Sequence, residues 1–162
     1  MSRLIAVLAT ALLAPAAHAC ELALVDGWVR TAPPTAKVMA GFGTLRNPGT
    51  VESTLVSVTS PQFGRVELHE MSMDGGVMKM RALDEIKVEA GESVTLAPGG
   101  THLMLFDPVA PLASGDPVEV KLTLACDSEY PATLTVAERA PTATDSKADS
   151  DDAHEHHHHG GH

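Results

Sequence analysis

Short β-prone runs, each cut off by a proline- or glycine-bearing turn, leave this chain little choice but an all-β fold. The interruptions come at Pro33-Pro34, Asn47-Pro48-Gly49, Ser60-Pro61, Asp74-Gly75-Gly76 and Pro98-Gly99-Gly100. Proline cannot continue a central strand, and glycine-bearing turns reverse the chain. Between the turns no run keeps the apolar spacing of a helix. Strands are expected at 22–30, 40–45, 52–59, 64–71, 77–83, 86–88, 93–96, 101–106, 118–125 and 132–138. Strands this short and this regularly punctuated imply an antiparallel Greek-key sandwich or barrel.

Length and composition bound the rest. The 162 residues, 44% of them hydrophobic, suffice for one packed domain with tails. Aromatics are limited to Trp28, Tyr130 and three Phe, so the core must be built mainly of Val, Leu and Ala. A formal net charge of −10 argues against nucleic acid as a partner, because phosphate recognition needs basic surface.

Residues 1–19 read as a signal peptide: Arg3, a short apolar stretch at 4–13, and Ala17-His18-Ala19 before a cleavage point. That apolar stretch is too short to span a bilayer, and no later one approaches the length needed. The expected mature chain starts at Cys20 in an exported, periplasmic compartment, and loss of Arg3 takes its charge from −10 to −11. Cys20 at the cleavage point raises a lipid anchor, but that signal wants a Leu-like residue where Ala17 stands. A disulfide to Cys126, the only other cysteine, is the expected state in an oxidising compartment. It would contribute about 3–5 kcal/mol. The body is expected over 20–139, followed at 140–162 by an acidic, histidine-rich tail expected to be disordered.

Chemistry concentrates between positions 69 and 104. Five of the seven methionines (Met71, Met73, Met78, Met80 and Met104) lie there, with His69 and His102, the only two histidines between leader and tail. A Met stripe is ordinarily flexible core filling, and a lone His is ordinarily structural. Their combination instead suits a soft ion, because thioether and imidazole favour Cu(I) over hard cations. His102 and Met104 are two apart on one strand and so share a face. If Asp74-Gly75 forms a two-residue turn, His69 lies opposite Met80 and Met71 opposite Met78, within reach of one ion. A three-residue loop through Gly76 would break that pairing. The expected centre is a neutral His69–Met80–His102–Met104 site for Cu(I), with Met71, Met73 and Met78 as auxiliary ligands, a copper path or a docking surface.

Taken together, His69, ten residues, Met80, twenty-one residues, then His102-x-Met104 resembles the motif of the periplasmic copper chaperones of the PCuAC type. The flanks LHEMSMDGGVMKMR and PGGTHLML and the block TAPPTAKVMAGFGTLRN are similar too, so the resemblance covers roughly 22–138. It implies a cupredoxin-like Greek-key barrel with a surface Cu(I) site. It also implies delivery of copper to the copper-site subunit of cytochrome c oxidase, often beside a thioredoxin-like copper assembly protein. The cysteine pair is no part of that pattern.

In the tail, His154, His156, His157, His158, His159 and His162 sit among acidic residues and suit a second metal site for Cu(II), or for Zn, through imidazole nitrogen. Other function classes fit less well. A blue-copper electron-transfer site needs a thiolate with two imidazoles, and no histidine follows Cys126 before the tail. An enzyme lacks a visible acid/base-plus-metal motif in a body with two histidines. The alternative to a carrier is a β-sandwich interaction module whose metal binding resides only in the tail.

Overall fold

The structure is a computed structural model that describes residues 20–140. The expected signal peptide and the histidine tail lie outside the described residues. Ten strands are present: β1 (Ala23–Arg30), β2 (Val38–Arg46), β3 (Ser53–Thr59), β4 (Phe63–Asp74), β5 (Val77–Leu83), β6 (Ile86–Val88), β7 (Ser93–Leu96), β8 (Thr101–Pro108), β9 (Pro117–Leu124) and β10 (Glu129–Ala137). Each falls on an expected run, and β4 extends further than expected, as far as Asp74.

The strands form one sheet in the order β5-β4-β8-β2-β1-β10-β9-β3-β6, with β7 pairing β2 beyond the end of β8. The two edge strands, β5 and β6, are consecutive in the chain and separated only by Asp84 and Glu85. Strands at opposite ends of a sheet can be joined so briefly only if the sheet rolls up on itself. One cluster of buried residues fills the roll, among them Val29, Leu45, Leu55, Leu103, Leu105, Val118, Leu122 and Leu134. The core is thus aliphatic, as the scarcity of aromatics requires. The class is all-β, one ten-stranded sheet around a single core.

One expectation about pairing needs correction. β1 and β10 run parallel, with Trp28 beside Thr135 and Arg30 beside Ala137, and only the remaining pairs are antiparallel. A parallel pair needs a long crossover between its strands, and here nearly the whole body supplies it. Pro131 sits inside β10, where it pairs with Lys121 on the β9 side. The pairing to β1 covers only 135–137, so at Pro131 the other flank carries no ladder to interrupt.

Local features bring a second layer of side chains to the outer face of β2. The β1–β2 register shifts between Val25 and Trp28, at a bulge where Asp26 has φ 52°. The bulge turns Trp28 outward onto Phe42 while Val29 points to the core. A Cβ at Gly27 would meet Leu134 at 2.9 Å, so only glycine lets β10 approach at the bulge. Cys20 and Cys126 are joined in a disulfide spanning 106 positions, and the Tyr130 hydroxyl donates to the Cys20 carbonyl at 2.8 Å.

Candidate metal centre

The candidate ligands come from three neighbouring strands, β5, β4 and β8, and β2 supplies part of the cavity wall. Alternation along β4 puts Glu67, His69, Met71 and Met73 on the face away from the core, while Leu68 is buried on the other. On β8, His102 and Met104 share that outer face, and Leu103 and Leu105 enter the core.

The hairpin register differs from expectation. The β4–β5 ladder pairs His69 with Ala82, Met71 with Met80, Met73 with Met78, and Asp74 with Val77. The expected pairs His69–Met80 and Met71–Met78 do not form. The two-residue turn is Gly75-Gly76, with φ 60° and 81°, and Asp74 remains in the strand. A turn with positive φ at both central positions is least strained when both are glycine. The register therefore moves by two residues, which preserves the face of every methionine but changes each partner.

The histidines meet by another route. β4 and β8 pair so that His69 lies directly opposite His102, and Glu67 opposite Met104. The two imidazole centroids are 6.0 Å apart. Met80, His102, Met104 and Met71 line one open cavity of about 260 Å³, whose rim includes Pro98, Gly99 and Arg30. His69 is not part of that lining. It lies beside His102 with its side chain 13% exposed.

Hydrogen bonds assign the ring nitrogens. His69 Nε2 lies 2.8 Å from a Glu67 carboxylate oxygen, which can only accept, so Nε2 carries the proton. The other nitrogen, Nδ1, is buried and without a partner. His102 Nδ1 lies 3.0 Å from the Gly100 carbonyl and donates to it, which leaves Nε2 as the lone-pair nitrogen. Each imidazole is thus held in one tautomer by a carboxylate or a carbonyl, the arrangement typical of a metal ligand. A bare, buried Nδ1 is costly unless something accepts its lone pair. A soft cation does so.

Residues outside the expected ligand set support this geometry. The Gly100 carbonyl also accepts the Met71 backbone N–H at 3.2 Å, so one turn positions both Met71 and His102. Glu67 is shared between His69 and Arg65, the latter at 2.8 Å. The hydrogen bond from His69, and then that from Arg65, holds the Glu67 carboxyl below the usual carboxylate range. Arg65 in turn stacks 3.8 Å from the Phe106 ring. The floor is aromatic: Phe42 stands 6.2 Å from His102, Trp28 lies 4.7 Å behind Phe42, and Arg30 sits over both rings at 5.5 and 5.8 Å. A sequence signal for Trp28 existed in the Asp26-Gly27 bulge pair. Nothing local pointed to the Gly100 carbonyl.

Among the described residues no group of three or more His, Cys, Asp or Glu is placed to hold a metal ion. The donors gathered here are imidazole and thioether. A larger cavity, about 610 Å³, lies between β9, β10 and the end of β3, away from these donors and lined by Lys121, Glu129 and Pro131 among others. His154, His156, His157, His158, His159 and His162 lie outside the described residues.

Fold and site together define a cupredoxin-like β-domain with a cavity of soft donors on its outer face. The chain belongs to the LpqE-like family, whose model, described as "Putative lipoprotein LpqE-like", matches residues 22–138. It is 31% identical over 123 residues to a Leifsonia xyli protein named "Putative lipoprotein Lxx21020", covering 75% of this chain and 73% of that one. Among solved structures it is similar to the apo PCuAC domain from PmoF1, at 21% identity and TM-score 0.60, over 73% of this chain and 94% of that one. It is also similar to CuI-DR1885 from Deinococcus radiodurans, at 25% identity and TM-score 0.57, over 69% of this chain and 75% of that one. The body therefore has the fold of the PCuAC domains.

Proposed function

We propose that this protein is an exported copper chaperone that binds Cu(I) in the cavity between β5, β4, β8 and β2 and hands it on by ligand exchange. The carrying observation is the convergence of Met71, Met80, Met104 and His102 on one open cavity, with His69 paired across the strands with His102 and its Nδ1 bare. All these donors are neutral and soft, the set that favours Cu(I). That relatives of this fold include a domain solved with Cu(I) supports the reading. Met80, His102 and Met104 are assigned as ligands, with His69 completing the set through Nδ1 and Met71 in reserve.

As a carrier the protein performs no chemistry on its cargo. It holds one oxidation state and exposes a donor, Met80, 46% accessible, to an acceptor. Delivery to the copper-site subunit of cytochrome c oxidase, directly or through a thioredoxin-like assembly protein, is the destination we infer from the PCuAC resemblance. The family's lipoprotein description supports an exported location. Cys20 cannot carry both a lipid thioether and the bridge to Cys126, so we place this protein free in the periplasm. The tail histidines serve as a separate Cu(II) or Zn capture segment.

The test is an anaerobic Cu(I) competition titration against a chromophoric chelator. Every core residue precedes Glu138, so a chain ending there retains the whole body. Tight one-to-one binding that collapses in His102→Ala/Met104→Ala is expected. Loss of Cu(I) binding on removal of the tail alone would overturn the proposal and make the body an interaction module.

A further inference from the structure

We propose that Met73 and Met78, at the tip of the β4–β5 hairpin, form a second Cu(I) site through which the cavity is loaded and emptied. The inference rests on the copper reading above and extends it to the route the ion takes.

The register carries the argument. Asp74 and Val77 flank the two-residue turn, and in such hairpins the flanking pair exchanges both backbone hydrogen bonds. Hydrogen-bonded and non-hydrogen-bonded pairs alternate along an antiparallel ladder. Met73–Met78 and Met71–Met80 are therefore both non-hydrogen-bonded pairs, the kind with Cα atoms only about 4.5 Å apart and side chains closest. The Met71 N–H agrees, since it points away from β5 to the Gly100 carbonyl. Two methionine rungs thus follow each other on one face, about 6.5–7 Å apart along the strands.

The rungs differ in exposure. Met71 and Met80 line the cavity, whereas Met73 is 66% and Met78 48% exposed. Packing does not account for the outer rung, because the core takes no residue from it. The hairpin's opposite face carries the ion pairs Arg81–Glu70, at 2.7 Å, and Lys79–Asp74. Charge is thereby held away from the thioether face, leaving a neutral track of soft donors from solvent to cavity.

Transfer along the track is a ligand exchange. Cu(I) gains a dative bond from a thioether of the inner rung as one from the outer rung breaks. No electron changes hands, and no proton moves, because a thioether has none to lose. The outer rung offers two donors against the cavity's larger set, so it binds more weakly and exchanges faster.

The test uses the full chain labelled with ¹³C at the methionine methyls, titrated anaerobically with Cu(I) supplied as its acetonitrile complex. Each methionine is read separately, whatever the tail histidines bind. We expect the Met80, Met71 and Met104 methyls to shift with the first equivalent, and those of Met73 and Met78 to shift together, in fast exchange, with the second. Movement of Met73 and Met78 in step with Met80, or no movement of either, overturns the second site while leaving the cavity intact. If no methionine methyl moves, the copper reading itself fails. In Met73→Leu/Met78→Leu, a near volume-conserving change, removal of Cu(I) by a chelator, followed as the return of the Met80 methyl, should slow several-fold. An unchanged rate also overturns the proposal.

Discussion

If the bare Nδ1 of His69 is a copper ligand, then Glu67, which does not itself line the cavity, should control copper affinity. Its carboxylate holds His69 Nε2 at 2.8 Å and so fixes both the ring orientation and the tautomer that leaves Nδ1 unprotonated. Loss of an outer partner of a metal-bound histidine typically costs about 10–100-fold in metal affinity. We therefore expect Glu67→Ala to weaken Cu(I) binding by about 10–100-fold. Glu67→Gln, which keeps an oxygen acceptor but loses the charge, should fall between wild type and Glu67→Ala. His69→Ala should cost at least as much as Glu67→Ala, and the double variant no more than His69→Ala alone, because the two residues act as a unit. Arg65→Ala is the control. Arg65 binds the other oxygen of the carboxylate and not the one that holds His69, so its loss should matter less. The assay is the anaerobic chelator competition, with long-range ¹H–¹⁵N correlation reporting which ring nitrogen is protonated. Unchanged affinity in Glu67→Ala, with the His69 tautomer redistributed, would refute His69 as a ligand. The site would then be Met71, Met80, His102 and Met104.

Other perturbations follow from the same coordinates. Leu103 is fully buried between the two candidate ligands on β8, so Leu103→Ala should destabilise the body by about 2–5 kcal/mol in urea unfolding. Opening the Cys20–Cys126 bridge by Cys20→Ser/Cys126→Ser releases a loop of 106 positions, worth about 4.8 kcal/mol on the chain-entropy estimate; the urea midpoint should fall with little change in Cu(I) affinity. Gly76→Val places a β-branched residue at φ 81°, so amide exchange should rise in β5 and stay unchanged in β9. Because Glu67 is held below the ordinary carboxylate range, its stabilising contribution is full above that range and is lost as pH falls through the lowered folded value. A carbon-detected titration of its carboxyl should show the low midpoint, and His69→Ala should raise it.

What could be read from the sequence depended on whether periodicity alone decided it. His102 and Met104 share a face in any strand register, because alternation is a local property, and they do so here. The faces of the hairpin methionines were legible for the same reason. Their partners were not, because the turn could centre on Asp74-Gly75 or on Gly75-Gly76, and only the second puts glycine at both positive-φ positions. The meeting of His69 with His102 joins residues 33 apart through β4 and β8, a pairing that no local signal specifies. The parallel β1–β10 contact was hidden in the same way.

The charge around the cavity bears on which way copper moves. Its donors are neutral, and the carboxylate of Glu67, opposite Met104, is already engaged by Arg65 and His69. Arg30, on the rim, adds a positive charge that its contacts with Trp28 and Phe42 hold in place. Cu(I) bound as proposed would therefore keep its charge uncompensated and sit near a second cation. A thiolate acceptor neutralises that charge in the act of binding, which lowers the energy of the transferred ion beyond what thioethers and imidazoles supply. On the copper reading proposed above, a site built this way would take the ion from weak ligands and give it up to thiolates. In Arg30→Gln the repulsion is removed and the aromatic floor remains. Equilibrium between this protein and a dithiol acceptor should then shift toward retention, and a shift in the other direction would mean that Arg30 serves the site by packing and not by charge.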